Sequence, residues 1–175
     1  EGYEVAYRTN AVTTHGEHGN AVLSRWPLGD VGHRDVSDHP FEQRGLLHVP
    51  VQWQGREVHA FNAHLGLIHA SRVRQVRHLA RFIDEIVPSG APVLVAGDFN
   101  DWGERLDGIM AEMGLRRATL EGERLPRTFP SRLPLLSLDR IYTRGFQAHS
   151  IRVPRSGPWA LRRRLDVPIQ LPAGK

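Results

Sequence analysis

Pro92-Val93-Leu94-Val95-Ala96-Gly97-Asp98-Phe99-Asn100-Asp101 is an apolar run that delivers a carboxylate and an amide, two residues apart, to its end. An unbroken apolar run between Pro92 and Gly97 fits a strand buried on both faces, because a half-buried strand alternates apolar with polar. Strands of that kind end at loops where binding groups collect. Gly97 lets the backbone turn closely, and side chains two apart on a strand point the same way, so Asp98 and Asn100 would aim at one ligand. Together they can accept a proton, hold a metal or steady a phosphoryl oxygen. They can equally close a turn by satisfying backbone amides, as Asp and Asn often do.

Around this run the chain reads as alternating short strands and amphipathic helix. Strands are expected at Asn20 to Ser24, Gly45 to Val51, Glu57 to Ala63, Leu138 to Thr143, His149 to Val153 and Val167 to Leu171. Gln54-Gly55 marks a hairpin, and Arg144-Gly145 another turn. A helix is expected from Ala70 to Val87, where Val73, Val76, Leu79, Ala80, Ile83, Ile86 and Val87 recur at helical spacing and Pro88 ends the pattern. Its other face carries Arg72, Arg74, Arg77, Arg81 and Asp84, which read as a solvated side. A second, shorter helix is expected from Glu104 to Met113. Strands in hairpins with helices after some of them indicate a mixed α/β sandwich with two sheets.

The 175 residues suffice for one domain with a good core, and 40% hydrophobic content is ordinary. A single domain over 1–175 is expected. The absence of cysteine excludes a disulfide framework, a thiolate metal site and a cysteine nucleophile. The longest apolar runs fall far short of the roughly 20 residues that span a bilayer, and the opening residues resemble no signal peptide. A soluble chain is expected, of unassigned compartment. The net charge of +4 is carried almost wholly by arginine, which binds phosphate in bidentate fashion, so anionic partners are favoured. Trp26, Trp53, Trp102 and Trp159 are scattered rather than arrayed for base stacking.

Asn62-Ala63-His64 repeats, at a second strand end, the spacing of Asp98 and Asn100. A histidine there can donate to a phosphoryl oxygen or relay a proton near neutral pH. Arg44, just before another strand, can clamp a phosphate or pair with Glu42. Asp139 lies among strand residues, where a carboxylate needs a histidine or arginine partner.

In order, Gly19-Asn20-Ala21-Val22-Leu23-Ser24-Arg25, Phe41-Glu42-Gln43-Arg44-Gly45, Asn62-Ala63-His64-Leu65-Gly66, Gly97-Asp98-Phe99-Asn100-Asp101, Thr128-Phe129-Pro130-Ser131 and Leu138-Asp139-Arg140-Ile141 resemble successive motifs of the endonuclease/exonuclease/phosphatase superfamily. The helix bearing Ser71-Arg72 and Gln75 resembles that of its bacterial members. The resemblance implies a four-layer α/β sandwich of two mixed sheets flanked by helices, and magnesium- (or manganese-) assisted hydrolysis of a phosphoester. It implies that Asp98 orients or deprotonates the attacking water, that Asn100 and His64 stabilise charge on the phosphoryl oxygens, that Arg44 and Asn62 bind substrate, and that Asp139 supports a terminal histidine. Phosphoryl transfer needs chiefly positioning and charge neutralisation, which agrees. Nucleic acid and phospholipid are both eligible substrates.

Two departures qualify this. Relatives open with a strand bearing Asn and another ending in a metal-binding Glu, whereas this chain begins at Glu1-Gly2-Tyr3, past that point; neither Glu1 nor Glu4 has the expected context. Relatives close with Ser-Asp-His-x-Pro, whereas here Arg164-Leu165-Asp166-Val167-Pro168 stands at the corresponding place. Ser37-Asp38-His39-Pro40 spells nearly that motif but reads as a loop coincidence. The sandwich is thus expected to be incomplete at the N-terminus. Asp139 is expected to pair with an arginine of Arg162-Arg163-Arg164, and Asp98 with Asn100 to form only a second, weaker metal site. The exposed sheet edge invites self-association. A catalytically impaired member that binds phosphate-bearing ligands without turnover is the alternative.

Overall fold

The computed structural model describes residues 2–14, 16–119, 127–130, 135–148 and 169–170. Strands β1 (Glu4–Thr13) and β2 (Gly16–Ser24) form an antiparallel hairpin. Strands β3 (Gly32–Asp35), β4 (Gly45–Trp53), β5 (Arg56–His64), β6 (Val93–Asp98), β7 (Arg116–Arg117) and β8 (Asp139–Arg144) form a six-stranded sheet of order β3-β4-β5-β6-β8-β7. Among the described residues only β5 and β6 run parallel, joined by the crossover helix α1 (His69–Ile86). Helix α2 (Asp107–Glu112) follows β6, and the two-residue strands β9 (Gln147–Ala148) and β10 (Ile169–Gln170) pair with each other. Among the described residues no helix is long and apolar enough to cross a membrane.

The two faces of the sheet bury different partners. Leu46, Phe61, Ala63, Val93, Val95 and Tyr142 pack against Val76, Leu79, Phe82 and Ile83 of α1 and Met110 of α2. On the other face Leu47, Val49, Val51 and Ala60 meet Ala6 and Val22 of the hairpin. The result is an α/β sandwich with two β-layers. Strand β4 is covered on both sides over Gly45–Val51, which its sequence shows as a near-continuous apolar run.

Strand β6 corrects the opening expectation. Val93 and Val95 are fully buried against the helices, but Leu94 and Ala96 are only half-buried, because the hairpin lies over β4 and β5 and not over β6. Gln54 and Gly55 both take positive φ (52° and 74°), as a tight two-residue hairpin turn requires. Strands β1 and β3 were not foreseen. Val5, Tyr7 and Arg8 of β1 point to solvent and only Ala6 is buried there, while β3 reads Gly-His-Arg-Asp; neither carries an apolar alternation. Among the described residues β1 pairs only with β2. The strand expected at His149–Val153 lies outside the described residues, as do Trp159, Arg162–Arg164 and Asp166.

Arg72 does not belong to the solvated face of α1. It is 5% exposed and donates to the carbonyl oxygens of Gly66 (3.2 Å) and Leu67 (2.6 Å). Its neighbours Arg74, Arg77 and Arg81 are exposed as expected.

Candidate active site

Parallel pairing of β5 with β6 puts His64 directly beside Asp98, and antiparallel pairing of β6 with β8 puts Asp139 on the other side of Asp98. Asn62, His64, Asp98 and Asp139 therefore line the sheet face that looks toward the hairpin, at one end of the strands. His64 Nε2 stands 3.9 Å from Asp98 Oδ2. Partial burial at the strand ends and the nearby Arg44 guanidinium hold the His64 imidazole below its usual range, while Asp98 and Glu42 pull the other way. A neutral ring, able to donate one hydrogen bond and accept another, is the result near pH 7.

Gly97 makes this approach possible. Its φ is +151°, and a Cβ there would overlap the Ala63 carbonyl oxygen on β5. Asp98 ends the strand, so Asn100 does not share its face as period two would have it. Asn100 turns into the left-handed region (φ 47°), which Asn tolerates, and is 5% exposed. Its Nδ2 donates to the Leu65 carbonyl oxygen at 2.9 Å, and its backbone N–H donates to Asp98 Oδ1 at 2.9 Å. The turn-closing reading of Gly-Asp-x-Asn is therefore the one these hydrogen bonds describe. One oxygen of Asp98 closes the turn, and the other faces His64.

The Leu65 carbonyl oxygen is the meeting point of the site. It accepts from Asn100 Nδ2 and from Arg44 Nε (3.2 Å), while Leu65 N–H donates to the Asp98 carbonyl oxygen at 2.9 Å. Arg44 also donates to Glu42 Oε1 at 3.2 Å, the pairing its alternative reading describes, and it lines a cleft of about 710 Å³ that also contains His64. The residues that follow Leu65 are held from two sides. Gln75 Oε1 accepts from Gly66 N–H (2.8 Å), Arg72 holds the next carbonyls, and Glu42 Oε1 accepts from Leu67 N–H (3.1 Å).

Below the turn, Arg140 is wholly buried. It donates to Asp101 Oδ2 and to the Asp101 carbonyl oxygen, each at 2.8 Å, and to Tyr142 Oη at 3.1 Å. Asp101 Oδ2 also accepts from Leu106 N–H at 2.9 Å, so one carboxylate fixes both ends of the loop between β6 and α2. Asn20 fastens the hairpin to the same end of the sheet, donating to Gly45 O (2.6 Å) and Asn62 O (3.2 Å). The roles of Asn20 and Arg140 escaped the sequence reading because both are polar residues inside strands. Their isolation among apolar neighbours was the available signal.

Two carboxylates that the sequence reading set aside are engaged elsewhere. Asp38 accepts from Ser71 and from Arg74, which hold its carboxyl well below the usual range, so Ser37-Asp38-His39-Pro40 is a loop tied to α1. Glu4 accepts from Leu28 N–H at 2.9 Å. Among the described residues no group of three or more His, Cys, Asp or Glu gathers as a metal cage. Asp98 Oδ2, which faces His64, and the Asn100 amide oxygen are hard-oxygen atoms of the kind that magnesium takes.

A strand-end carboxylate and imidazole, beside a cleft that Arg44 lines, sit on an α/β sandwich with two β-layers. The profile of the Endonuclease/Exonuclease/phosphatase family matches residues 2–166, and the chain belongs to that family. It is 43% identical over 149 residues to the uncharacterized protein YbhP of Escherichia coli K12, covering 83% of this chain and 58% of that protein. The chain thus spans well under two thirds of that relative's length. In fold it is similar to the endonuclease/exonuclease/phosphatase from Bacteroides vulgatus (TM-score 0.79, 20% identity, 98% of this chain and 77% of that one). It is also similar in fold to a mannosyl-6-phosphatase of Bacteroides thetaiotaomicron (TM-score 0.73, 17% identity, 97% and 78%).

Proposed function

We propose that the chain carries the reaction centre of a divalent-metal-assisted phosphoester hydrolase. The observation that supports this most is the in-register placement of His64 and Asp98, 3.9 Å apart on parallel strand ends, with Asp139 on the next strand. Asp98 Oδ2 accepts the proton of the attacking water or orients it, being fixed through its other oxygen by the turn. His64 donates to a phosphoryl oxygen. Arg44, lining the adjoining cleft, neutralises phosphate charge by shifting part of its bonding from Glu42. Asn62 contacts substrate from the same face as His64. Asn100 holds the loop of Leu65 against the turn, and with Asp98 it would hold magnesium or manganese. That ion would supply charge neutralisation and a more acidic water.

The second reading is a protein that binds phosphate-bearing ligands without turnover. It draws on the lack of a three-donor acidic or histidine cluster among the described residues. Hydrolysis of bis(4-nitrophenyl) phosphate, with and without magnesium, separates the two. Magnesium-dependent turnover abolished by Asp98→Ala supports the hydrolase. No turnover, together with thermal stabilisation by inorganic phosphate that Arg44→Ala removes, supports the binding protein.

A further inference from the structure

Glu42 is the sole carboxylate among the described residues that line the cleft of Arg44 and His64. The loop before β4 holds it there. Its backbone N–H donates to the His39 carbonyl oxygen at 3.0 Å, and Arg44 N–H donates to Ser37 Oγ at 2.9 Å. One side-chain oxygen then serves two loops, because Oε1 accepts from Arg44 Nη2 at 3.2 Å and from Leu67 N–H at 3.1 Å. The other, Oε2, lies against Gly66, where an added Cβ would come within 2.5 Å of it. Arg44 Nε and Nη1 go instead to the neutral carbonyl oxygens of Leu65 and Gln43, each at 3.2 Å. Each side chain of the Glu42–Arg44 pair is 19% exposed, so both charges act on a ligand through less screening than surface charges do.

We propose that Glu42 is a specificity-determining residue, whose charge beside Arg44 turns the cleft toward singly charged phosphodiesters and away from doubly charged phosphomonoesters. An unpaired Arg44 would favour the doubly charged ligand, because Coulomb attraction scales with ligand charge. Glu42, within hydrogen-bond reach of that guanidinium, cancels much of this advantage while leaving the donors to a phosphoryl oxygen in place. Exposed Val12, Phe41 and Leu67 line the same cleft. They offer apolar contact to the second ester group, which a diester carries and a monoester lacks. Hydrolysis of a diester breaks one P–O ester bond with water, giving an alcohol and a monoester that sheds a proton to become a dianion. The product is thus the species that Glu42 repels most. The inference rests on the reading of Arg44 as the phosphate-binding group and goes beyond it in naming the class of ester.

The test is calorimetric titration with dimethyl phosphate and methyl phosphate at pH 8, where the first carries one negative charge and the second about two. Glu42→Gln keeps the side chain's shape and an oxygen for Leu67 N–H while removing the charge. It should tighten dimethyl phosphate about threefold and methyl phosphate about tenfold, since the repulsion removed doubles with ligand charge and the fold-change squares. Glu85→Gln, an equal charge change in the exposed pair with Arg34, should move either ligand by less than about twofold. Arg44→Ala should weaken both ligands. A purely structural Glu42 would leave the ratio of the two affinities where it was. The inference is overturned if Glu42→Gln changes both ligands equally or weakens methyl phosphate, if Glu85→Gln shifts the ratio as far, or if neither ligand binds. Arg44-dependent binding with an unmoved ratio sinks the inference alone, whereas binding indifferent to Arg44→Ala removes the role of Arg44 and the inference with it. A ratio that Glu42 controls, in a chain that does not hydrolyse bis(4-nitrophenyl) phosphate, leaves the inference standing and removes the hydrolase reading.

Discussion

Replacing Arg140 with methionine tests whether the buried ion pair beneath the Asp98 turn holds the site together. Arg140 and Asp101 have no exposed side-chain surface, and the guanidinium makes two 2.8 Å bonds to Asp101 alone. Without it, the Asp101 carboxylate keeps only the Leu106 N–H, and its Oδ1 already lacks a hydrogen-bond partner among the described residues. Stranding one charge of a buried pair costs about 3–5 kcal/mol, against a total stability of roughly 5–15. For a chain of this size that lowers the melting temperature by roughly 6–20 °C. Asp101→Asn should cost less, about 1–3 kcal/mol, because Arg140 retains Asp107, Tyr142 and two carbonyl acceptors. The double variant should cost less than the sum by at least about 1 kcal/mol. Urea unfolding of the four proteins gives the cycle, and hydrolysis of a soluble phosphodiester below the melting range reports the turn. Single costs under about 1 kcal/mol, or additivity within about 0.5, would refute the clamp.

Gly97→Ala should abolish stable folding or cost at least about 3 kcal/mol, since it combines a forbidden φ with overlap onto Ala63, whereas Gly55→Ala, in open space, should cost only about 1–2; thermal melts compare them. His48 is buried against His59 (Nε2 to Nδ1, 3.0 Å), and desolvation followed by the His59 charge depresses its pKa from 6.5 to about 4. The unfolded chain takes up that proton first, so stability is full above about pH 6.5 and falls as the pH drops toward 4, by roughly 3 kcal/mol. His48→Gln should flatten that slope in melts taken across the range, with the His59 contribution left in place; an unchanged slope would assign the loss to other groups. Gln75→Ala should slow turnover by releasing Gly66 N–H and the Val36 carbonyl oxygen, with a smaller change in KM; equal changes in the two would mean the loop does not position His64.

Much of the sheet was legible because its strands obey simple rules. The apolar runs at Gly45–Val51 and Val93–Ala96, the Gln54-Gly55 turn and the helical spacing from Val73 to Ile83 each respond to one local constraint. Strand β3 was not legible, because Gly32-His33-Arg34-Asp35 pairs through its backbone and carries no apolar face of its own. His64 and Asp98 could be named as strand-end groups, but their adjacency depends on parallel register across an 18-residue helix, which no local pattern encodes. Asn100 does not take the direction that a period of two assigns it, since a left-handed turn cancels that period. Arg72 shows the same limit from the other side. Its place on the helical wheel is polar, yet the loop it braces lies over that place.

A reaction centre at Asp98 requires that its carboxylate, and not merely its turn geometry, be needed for turnover. Asp98→Asn preserves shape and the Oδ1 acceptor for Asn100 N–H while removing the base. The turnover number for a soluble phosphodiester in saturating magnesium, measured for Asp98→Asn and for the unaltered chain at matched melting temperature, should fall by at least about 100-fold. Retention of the rate within about threefold would place the chemistry elsewhere.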